Sequence, residues 1–184
     1  SAAQGKTLND GKVDITGDTL TGTLTTRTVN IQSGYTLQHN GTTIIDTNGI
    51  VARAKYNDLA ELFTRGDNDI EPGDVLAYYW ATDSVHKAAR CDEMIIGVCS
   101  DTYGFLLGGD ENNPEKYAAV ALTGRVNVKV VGKVRPGDPL VLSSVSGIAQ
   151  SSLVRYYGIP IIGKALAPHD GERVDRIPML VVMS

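Results

Sequence analysis

Residues on which most enzymes and metal proteins depend are scarce in this sequence. Its 184 residues include two cysteines, three histidines and one tryptophan. Neither Cys91 nor Cys99 has a second Cys or a His at the spacing of a zinc site, so we expect no metal and no cofactor. We interpret the three histidines, His39, His86 and His169, as exposed residues in turns. No serine stands in a Gly-x-Ser-x-Gly elbow, which leaves no predicted catalytic residue.

Long hydrophobic runs and basic clusters are absent as well. No apolar run approaches the roughly 20 residues of a membrane-spanning helix, so we expect no membrane insertion. The formal net charge is −4, and Lys and Arg are scattered. Because phosphate binding needs a concentrated basic face, we expect no nucleic-acid partner. The hydrophobic content of 42% is that of a globular protein.

The two cysteines lie in or beside an apolar run. We interpret Cys91 and Cys99 as buried free thiols, because free Cys is among the most buried residue types. A single disulfide is the alternative. Nothing else in the sequence is typical of a disulfide-rich secreted domain.

The first fifty residues contain few side chains from which a core can be built. Their apolar residues come mostly singly, as in residues 13–15 and 29–31, whereas runs such as 94–98 occur later. Ordering a residue costs roughly 1–2 kcal/mol of backbone entropy. A fully buried Val or Ile returns about 1.5–3 kcal/mol. Residues 1–50 are therefore either disordered or ordered only through a core shared with identical copies.

Three features of residues 1–50 favour order. Thr, Val and Ile are β-formers, apolar positions alternate locally, and turn pairs such as Asn40-Gly41 recur. Three copies wound around one axis would join their thin apolar faces and close their open strand edges. We predict an intertwined trimeric β stalk over residues 1–50, with a flexible linker as the alternative.

Residues 51–184 are predicted to form a compact all-β domain with at most one short helix. Leu59, Leu62 and Phe63 recur at helical spacing, which predicts one or two helical turns after Asp58. Gly66 would end them. Valines alternate with polar residues over 126–130, which predicts a half-buried strand.

A repeated pattern runs through this second part. Residues 70–76 and 134–140 share Pro-Gly-Asp, and Ile-Ile-Gly follows each at 95–97 and 161–163. Pro-Gly predicts a type II turn, whose Asp binds nearby backbone N–H groups. Glycine within a strand indicates a bulge or a close backbone approach. We predict a β-barrel or clip-like domain of two similar halves; coincidence between common turns is the alternative.

Large aromatic side chains cluster at residues 78–80 and 156–157. Strand alternation would place Tyr78 and Trp80 on one face and Tyr79 on the other, so at least one face is core. The other face is available to a receptor, because aromatic rings stack on sugars as readily as they pack. The candidate receptor contacts are Tyr78, Trp80, Tyr156 and Tyr157.

Two sets of motifs resemble bacteriophage tail-fibre proteins. Residues 17–25, GDTLTGTLT, resemble the GDTMTG-L signature of tail-fibre shafts, with Leu20 where Met is usual. Residues 54–61 are similar to the A-x-YADLAE opening of a domain that ends many tail fibres and virion appendages. Five further blocks follow in the order of that family: residues 71–75, 96–100, 120–130, 136–140 and 162–166.

This resemblance implies a structural virion protein, not an enzyme. It implies the distal tip of a phage tail fibre or spike, which trimerises the fibre and mediates attachment to the host surface. The implied partners are two further copies of the chain, a host cell-surface glycan or protein, and other virion tail components. The implied location is the virion, after assembly in the host cytoplasm.

The same blocks also distantly resemble self-cleaving chaperone domains at the ends of phage neck appendages. Acidic residues near the first block take part in the backbone cut of those domains. Asp58 and Glu61, three apart, would share a face of the predicted helix. The alternatives to a fibre tip are therefore a self-cleaving intramolecular trimerisation chaperone and a capsid decoration or baseplate appendage.

Overall fold

The computed structural model describes residues 37–39, 42–45, 57–109, 113–152 and 159–182. The chain divides into two units, Ser1–Ala52 and Arg53–Ser184. In the first unit, strands β1 (Leu37–His39) and β2 (Thr42–Ile45) form an antiparallel pair. The rest of the predicted stalk lies outside the described residues.

The described part of the second unit consists of strands and turns, without a helix, which confirms the all-β prediction. Its strands are β3 (Asp58–Thr64), β4 (Val75–Tyr79), β5 (Ser84–Lys87), β6 (Ile95–Cys99), β7 (Tyr103–Leu107), β8 (Tyr117–Val130), β9 (Pro139–Leu142), β10 (Ala149–Ser151), β11 (Gly163–Ala165) and β12 (Asp175–Val181). The described residues contain no helix that is long and apolar enough to cross a bilayer.

Five of these strands close into a barrel. They follow the order β10-β9-β11-β12-β8, and a parallel contact between Ala149 of β10 and Val130 of β8 completes the ring. Val126, Val128 and Val130 are buried while Asn127 and Lys129 are partly exposed, which confirms the predicted half-buried strand. The barrel core is therefore supplied by alternating side chains, as closure of a sheet requires.

The first half of β8 extends beyond the barrel and supports the other strands. It pairs with β3 and with β6, and β4 and β5 continue the sheet from β6. A second apolar cluster fills this part, around Leu76, Val85 and Val120. Among the described strands, β7 pairs only with β3, in parallel, and its other edge has no strand partner there.

The helix predicted after Asp58 is wrong. These residues form β3, which pairs with β8 along its whole length and with β7 on its other side. Tertiary pairing overrides a short helical spacing, because β8 offers backbone partners to all seven residues of the strand. Asp58 is buried and Glu61 partly exposed, so these two carboxylates do not share a face.

Both predicted Pro-Gly-Asp turns are confirmed. Gly73 and Gly137 have φ values of 93° and 90°, the left-handed conformation that a type II turn requires at its third position. The Oδ2 atom of each Asp accepts a hydrogen bond from the backbone N–H three residues earlier, at 2.8 Å for Asp74 and 2.9 Å for Asp138. The similarity of the two halves as a whole stays a prediction.

The strand glycines lie where two backbones approach closely, as predicted. A Cβ atom at Gly97 would lie 2.3 Å from the carbonyl oxygen of Ala121, and one at Gly163 would lie 2.3 Å from that of Leu180. Both distances are shorter than a carbon–oxygen contact allows. Any side chain at these positions would force neighbouring strands apart.

Candidate binding pocket at the β4–β5 hairpin

A pocket of about 560 Å³ lies beside the hairpin formed by β4 and β5. We call it the hairpin pocket; its lining residues are Asp67, Ala77, Tyr78, Tyr79, Trp80, His86, Lys87, Glu93 and Met94. Two of the four predicted receptor contacts, Tyr78 and Trp80, belong to it. Tyr156 and Tyr157 lie outside the described residues, so the second predicted patch stays a prediction.

The aromatic residues of the pocket differ in exposure. Trp80 is 80% exposed and Tyr79 is 53% exposed. Tyr78 is partly buried, with its ring edge-on to Phe63 at a centroid distance of 6.1 Å. Its hydroxyl donates a 2.8 Å hydrogen bond to Asp83 Oδ1, and this bond raises the pKa of Tyr78. Tyr78 is thus anchored by packing.

Tyr79 is the contact that sequence reasoning missed. Alternation placed it opposite Trp80, but β4 ends at Tyr79 and Trp80 already belongs to the hairpin turn. Asp83, with φ of 50°, stands in the left-handed region within the same turn. Because alternation stops where the strand stops, neighbouring aromatic residues both become exposed.

His86 forms the centre of a hydrogen-bonded chain. Its Nδ1 lies 3.0 Å from Asp67 Oδ1 and its Nε2 lies 3.2 Å from Ser84 Oγ. The other carboxylate oxygen of Asp67 accepts the backbone N–H of Lys87 at 2.9 Å. The interpretation of His86 as an exposed turn residue is wrong: it lies on β5 and is partly buried. Its ring is fixed from both sides.

The hydrogen bonds that link Ser84, His86 and Asp67 follow the order of a Ser-His-Asp hydrolase triad. Ser84, however, is only 4% exposed and does not line the hairpin pocket. Its hydroxyl also lies 2.6 Å from Thr82 Oγ1. A nucleophile must be reachable by its substrate. We therefore infer that these hydrogen bonds position the His86 ring.

His169 also differs from its sequence interpretation. Its side chain is 6% exposed, and its Nδ1 donates a 2.8 Å hydrogen bond to the carbonyl of Gly132. The bond joins the turn after β8 to the segment before β12. The third histidine, His39, is the last residue of β1.

Five charged side chains form a cluster near the pocket; they are Asp69, Glu71, Asp74, Lys87 and Lys129. Asp74 is buried, and its carboxylate lies 2.8 Å from the ammonium of Lys129 and 3.6 Å from that of Lys87. The outer carboxylates complete the pairs, Glu71 with Lys129 at 2.7 Å and Asp69 with Lys87 at 2.8 Å. The hydrogen bond from Lys129 lowers the pKa of Glu71. The cluster joins the first Pro-Gly-Asp turn to β5 and β8.

Asp58 presents the opposite case, a buried carboxylate without a cationic partner among the described residues. It is 3% exposed, and among the described residues neither of its oxygens has a hydrogen-bond partner of good geometry. Burial raises the pKa of the Asp58 carboxyl, and the nearby Ser100 hydroxyl only partly opposes this shift. Removing an ionised carboxylate from water is costly, so folding shifts the titration of Asp58 towards its protonated form.

Both cysteines are free, which contradicts the disulfide alternative. Cys99 is buried, as predicted, and burial raises the pKa of its thiol to about 11. The prediction that Cys91 is buried is wrong, because it lies exposed in the loop before β6. Within the described ranges, no group of three or more potential ligands is placed to hold a metal ion.

Comparisons with known proteins identify similar structures but no sequence family. Neither a protein-family model nor a curated protein sequence matches the chain. The structure of pre-mature bacteriophage phi29 gene product 12 matches with a TM-score of 0.50 and 20% identity, over 69% of this chain and 22% of that one. This chain shares its fold with a phage protein. It spans about a fifth of the matched protein's length.

A second matched structure is the C-terminal fragment of bacteriophage phi29 gene product 12. It has a TM-score of 0.49 and 20% identity, over 68% of this chain and all of the fragment.

Proposed function

We propose that this chain is a structural virion protein, the distal tip of a phage tail fibre or spike. In this proposal it trimerises the fibre and attaches it to the host surface. The observation that carries the proposal is the fold shared with phi29 gene product 12. A fold alone does not determine function, so the motifs of the tail-fibre family are the second support.

Those motifs coincide with positions on which the fold depends. The block at residues 54–61 includes the start of β3, and the block at 71–75 contains the buried Asp74. Gly97 and Gly163 belong to two further blocks and stand at close backbone approaches. Agreement at such positions supports a common structural role better than agreement at exposed positions.

Open apolar surface supports assembly with further copies of the chain. Strand β7 has one edge that no other described strand pairs with, and it exposes Phe105 and Leu107. On the outside of β12, Leu180 and the following Val182 are exposed as well. Unpaired edges and apolar patches favour association. A homotrimer covers them, and the proposed setting is a virion assembled in the host cytoplasm with other tail components.

Sedimentation tests the proposed assembly. We expect the full chain to sediment as a trimer and residues 1–53 alone to remain unassembled. The physical reason is that a weakly patterned strand segment does not specify its own register, so the Arg53–Ser184 unit must supply it. A stable trimer of residues 1–53, or a full chain that stays monomeric over a wide concentration range, would contradict the proposal.

A second candidate function is a self-cleaving trimerisation chaperone. The observation that favours it is the buried carboxyl of Asp58, neither of whose oxygens has a hydrogen-bond partner of good geometry among the described residues. A carboxyl whose pKa is raised by burial is better suited to act as a general acid than an ordinary one. The matched phi29 structure is that of a pre-mature protein. For this chain, only the second candidate function includes a mature form that cleavage releases.

Mass spectrometry of the freshly expressed full chain separates the two candidates. For a fibre tip, we expect the intact chain as the single species. A fragment beginning between residues 54 and 58 would instead support the chaperone, provided that Asp58→Asn abolishes it. Glu61→Gln is the matched control, because Glu61 lies on the same strand but is partly exposed. Fragments that persist in Asp58→Asn would indicate an external protease.

A further inference from the structure

Exposed aromatic surface at the hairpin pocket is the feature that the proposed assembly leaves unexplained. Trp80 is 80% exposed, Met94 64% and Tyr79 53%, and all three line one pocket. Large apolar side chains in water are unfavourable. Ligand pockets of several hundred Å³ are typically lined by aromatic groups with a few placed polar groups, which describes this pocket.

The polar groups of the pocket are already oriented by the protein. Asp67 accepts from His86 and from the backbone of Lys87, which fixes its carboxylate. Glu93 Oε2 accepts the backbone N–H groups of Ala89 and Arg90, at 2.8 and 3.3 Å. Each carboxylate oxygen can accept more than one hydrogen bond. Both groups therefore offer preorganised acceptors to a ligand that carries hydroxyl donors.

Charge determines which hydroxyl-bearing ligand fits. Asp67 and Glu93 are both carboxylates, so an anionic ligand would be repelled. The one lysine of the lining, Lys87, is already paired with Asp69 and lies near Asp74. The lysine of the pocket lining is therefore not available to bind an acidic group of a ligand.

We propose that the hairpin pocket binds a neutral saccharide, whose ring faces stack on Trp80 and Tyr79 and whose hydroxyls bind Asp67 and Glu93. This inference rests on the proposed attachment function and names the chemical class of its ligand. A sugar ring presents apolar C–H faces and hydroxyl edges, which matches a pocket with exposed aromatic rings beside fixed carboxylates. The hydrogen bonds that link Asp67, His86 and Ser84 hold the polar side of the pocket in place.

The single tryptophan of the chain makes the test direct. Trp80 is the only Trp, so all tryptophan fluorescence arises in the pocket. The full chain is titrated with N-acetylglucosamine oligomers and maltohexaose as neutral probes, with sialyllactose as an acidic probe and with choline chloride as a cationic probe. We expect a saturable blue shift and reduced acrylamide quenching with at least one neutral oligosaccharide, and no response to sialyllactose.

Matched variants locate the effect. Tyr79→Ala should raise the Kd about three- to tenfold, the worth of one aromatic contact. Val145→Ala is the control, because Val145 is 47% exposed, does not line the pocket and lies outside the proposed trimer surface; its Kd should be unchanged. Circular dichroism melting of each variant verifies that the fold is retained.

Several results would overturn the saccharide site. They are a flat titration with both neutral probes, a Kd that Tyr79→Ala leaves unchanged, and a response to choline chloride or sialyllactose alone. The sedimentation test does not involve Trp80. If the chain forms a trimer but its Trp80 fluorescence does not change with neutral sugars, the saccharide inference is contradicted and the proposed fibre tip is not.

Discussion

Replacing Asp74 by Ala should lower the free energy of unfolding by about 3–5 kcal/mol. Asp74 is buried, and its carboxylate lies 2.8 Å from Lys129 and 3.6 Å from Lys87. It also accepts the backbone N–H of Glu71. Removing it leaves two partly buried ammonium groups without their central partner and one backbone donor without its acceptor. Urea unfolding at pH 7, followed by circular dichroism, measures the change.

The control for this prediction is the corresponding residue of the second turn. Asp138 makes the same bond to the backbone, to Arg135 at 2.9 Å, and accepts a 2.7 Å bond from the Ser151 hydroxyl, but no lysine among the described residues forms an ion pair with it. Asp138→Ala should therefore cost only about 1 kcal/mol. Equal losses in the two variants would show that the turn geometry, and not the buried charge cluster, determines the stability of the first turn.

Replacing Leu140 by Ala should cost about 2–5 kcal/mol of unfolding free energy. Leu140 is fully buried on β9, inside the closed barrel. Truncation removes apolar surface from the core and leaves a cavity, because a closed ring of five strands has little freedom to collapse. The loss should appear as a lower urea midpoint with an unchanged m value.

Leu166→Ala provides the matched control, since it is the same substitution one residue beyond β11. Leu166 is 44% exposed, so we expect a change within about 0.5 kcal/mol in the monomeric unit. A loss at Leu166 as large as that at Leu140 would contradict the assignment of the core. If Leu166 contributes to the proposed trimer contact, its effect would depend on protein concentration, whereas that of Leu140 would not.

Local features of this fold were predictable from the sequence. Both Pro-Gly-Asp turns and the strand glycines behave as their residue types predict, because a type II turn and a close backbone approach depend on one or two residues. The strand at 126–130 was equally readable, since its valines repeat with the period of a pleated sheet.

Predictions failed where a partner distant in sequence determined the outcome. The helical spacing after Asp58 was overridden by pairing with β8, some sixty residues later. The prediction that His86 is exposed fails because its partner Asp67 stands 19 positions away. The predicted receptor contacts omit Tyr79, because alternation cannot show where a strand ends. Each failure reflects a contact that no local window contains.

By itself, the sequence determined the all-β class, the turns and the motifs that resemble those of phage tail fibres, because these depend on residue type and short spacing. Only the tertiary structure decided that five strands close into a barrel and that Asp74 lies at the centre of a charge cluster. It alone placed Trp80, Tyr79, Asp67 and Glu93 around one pocket. These arrangements bring together residues from separate strands and loops. The spacing of these residues along the sequence does not reveal that they are in contact.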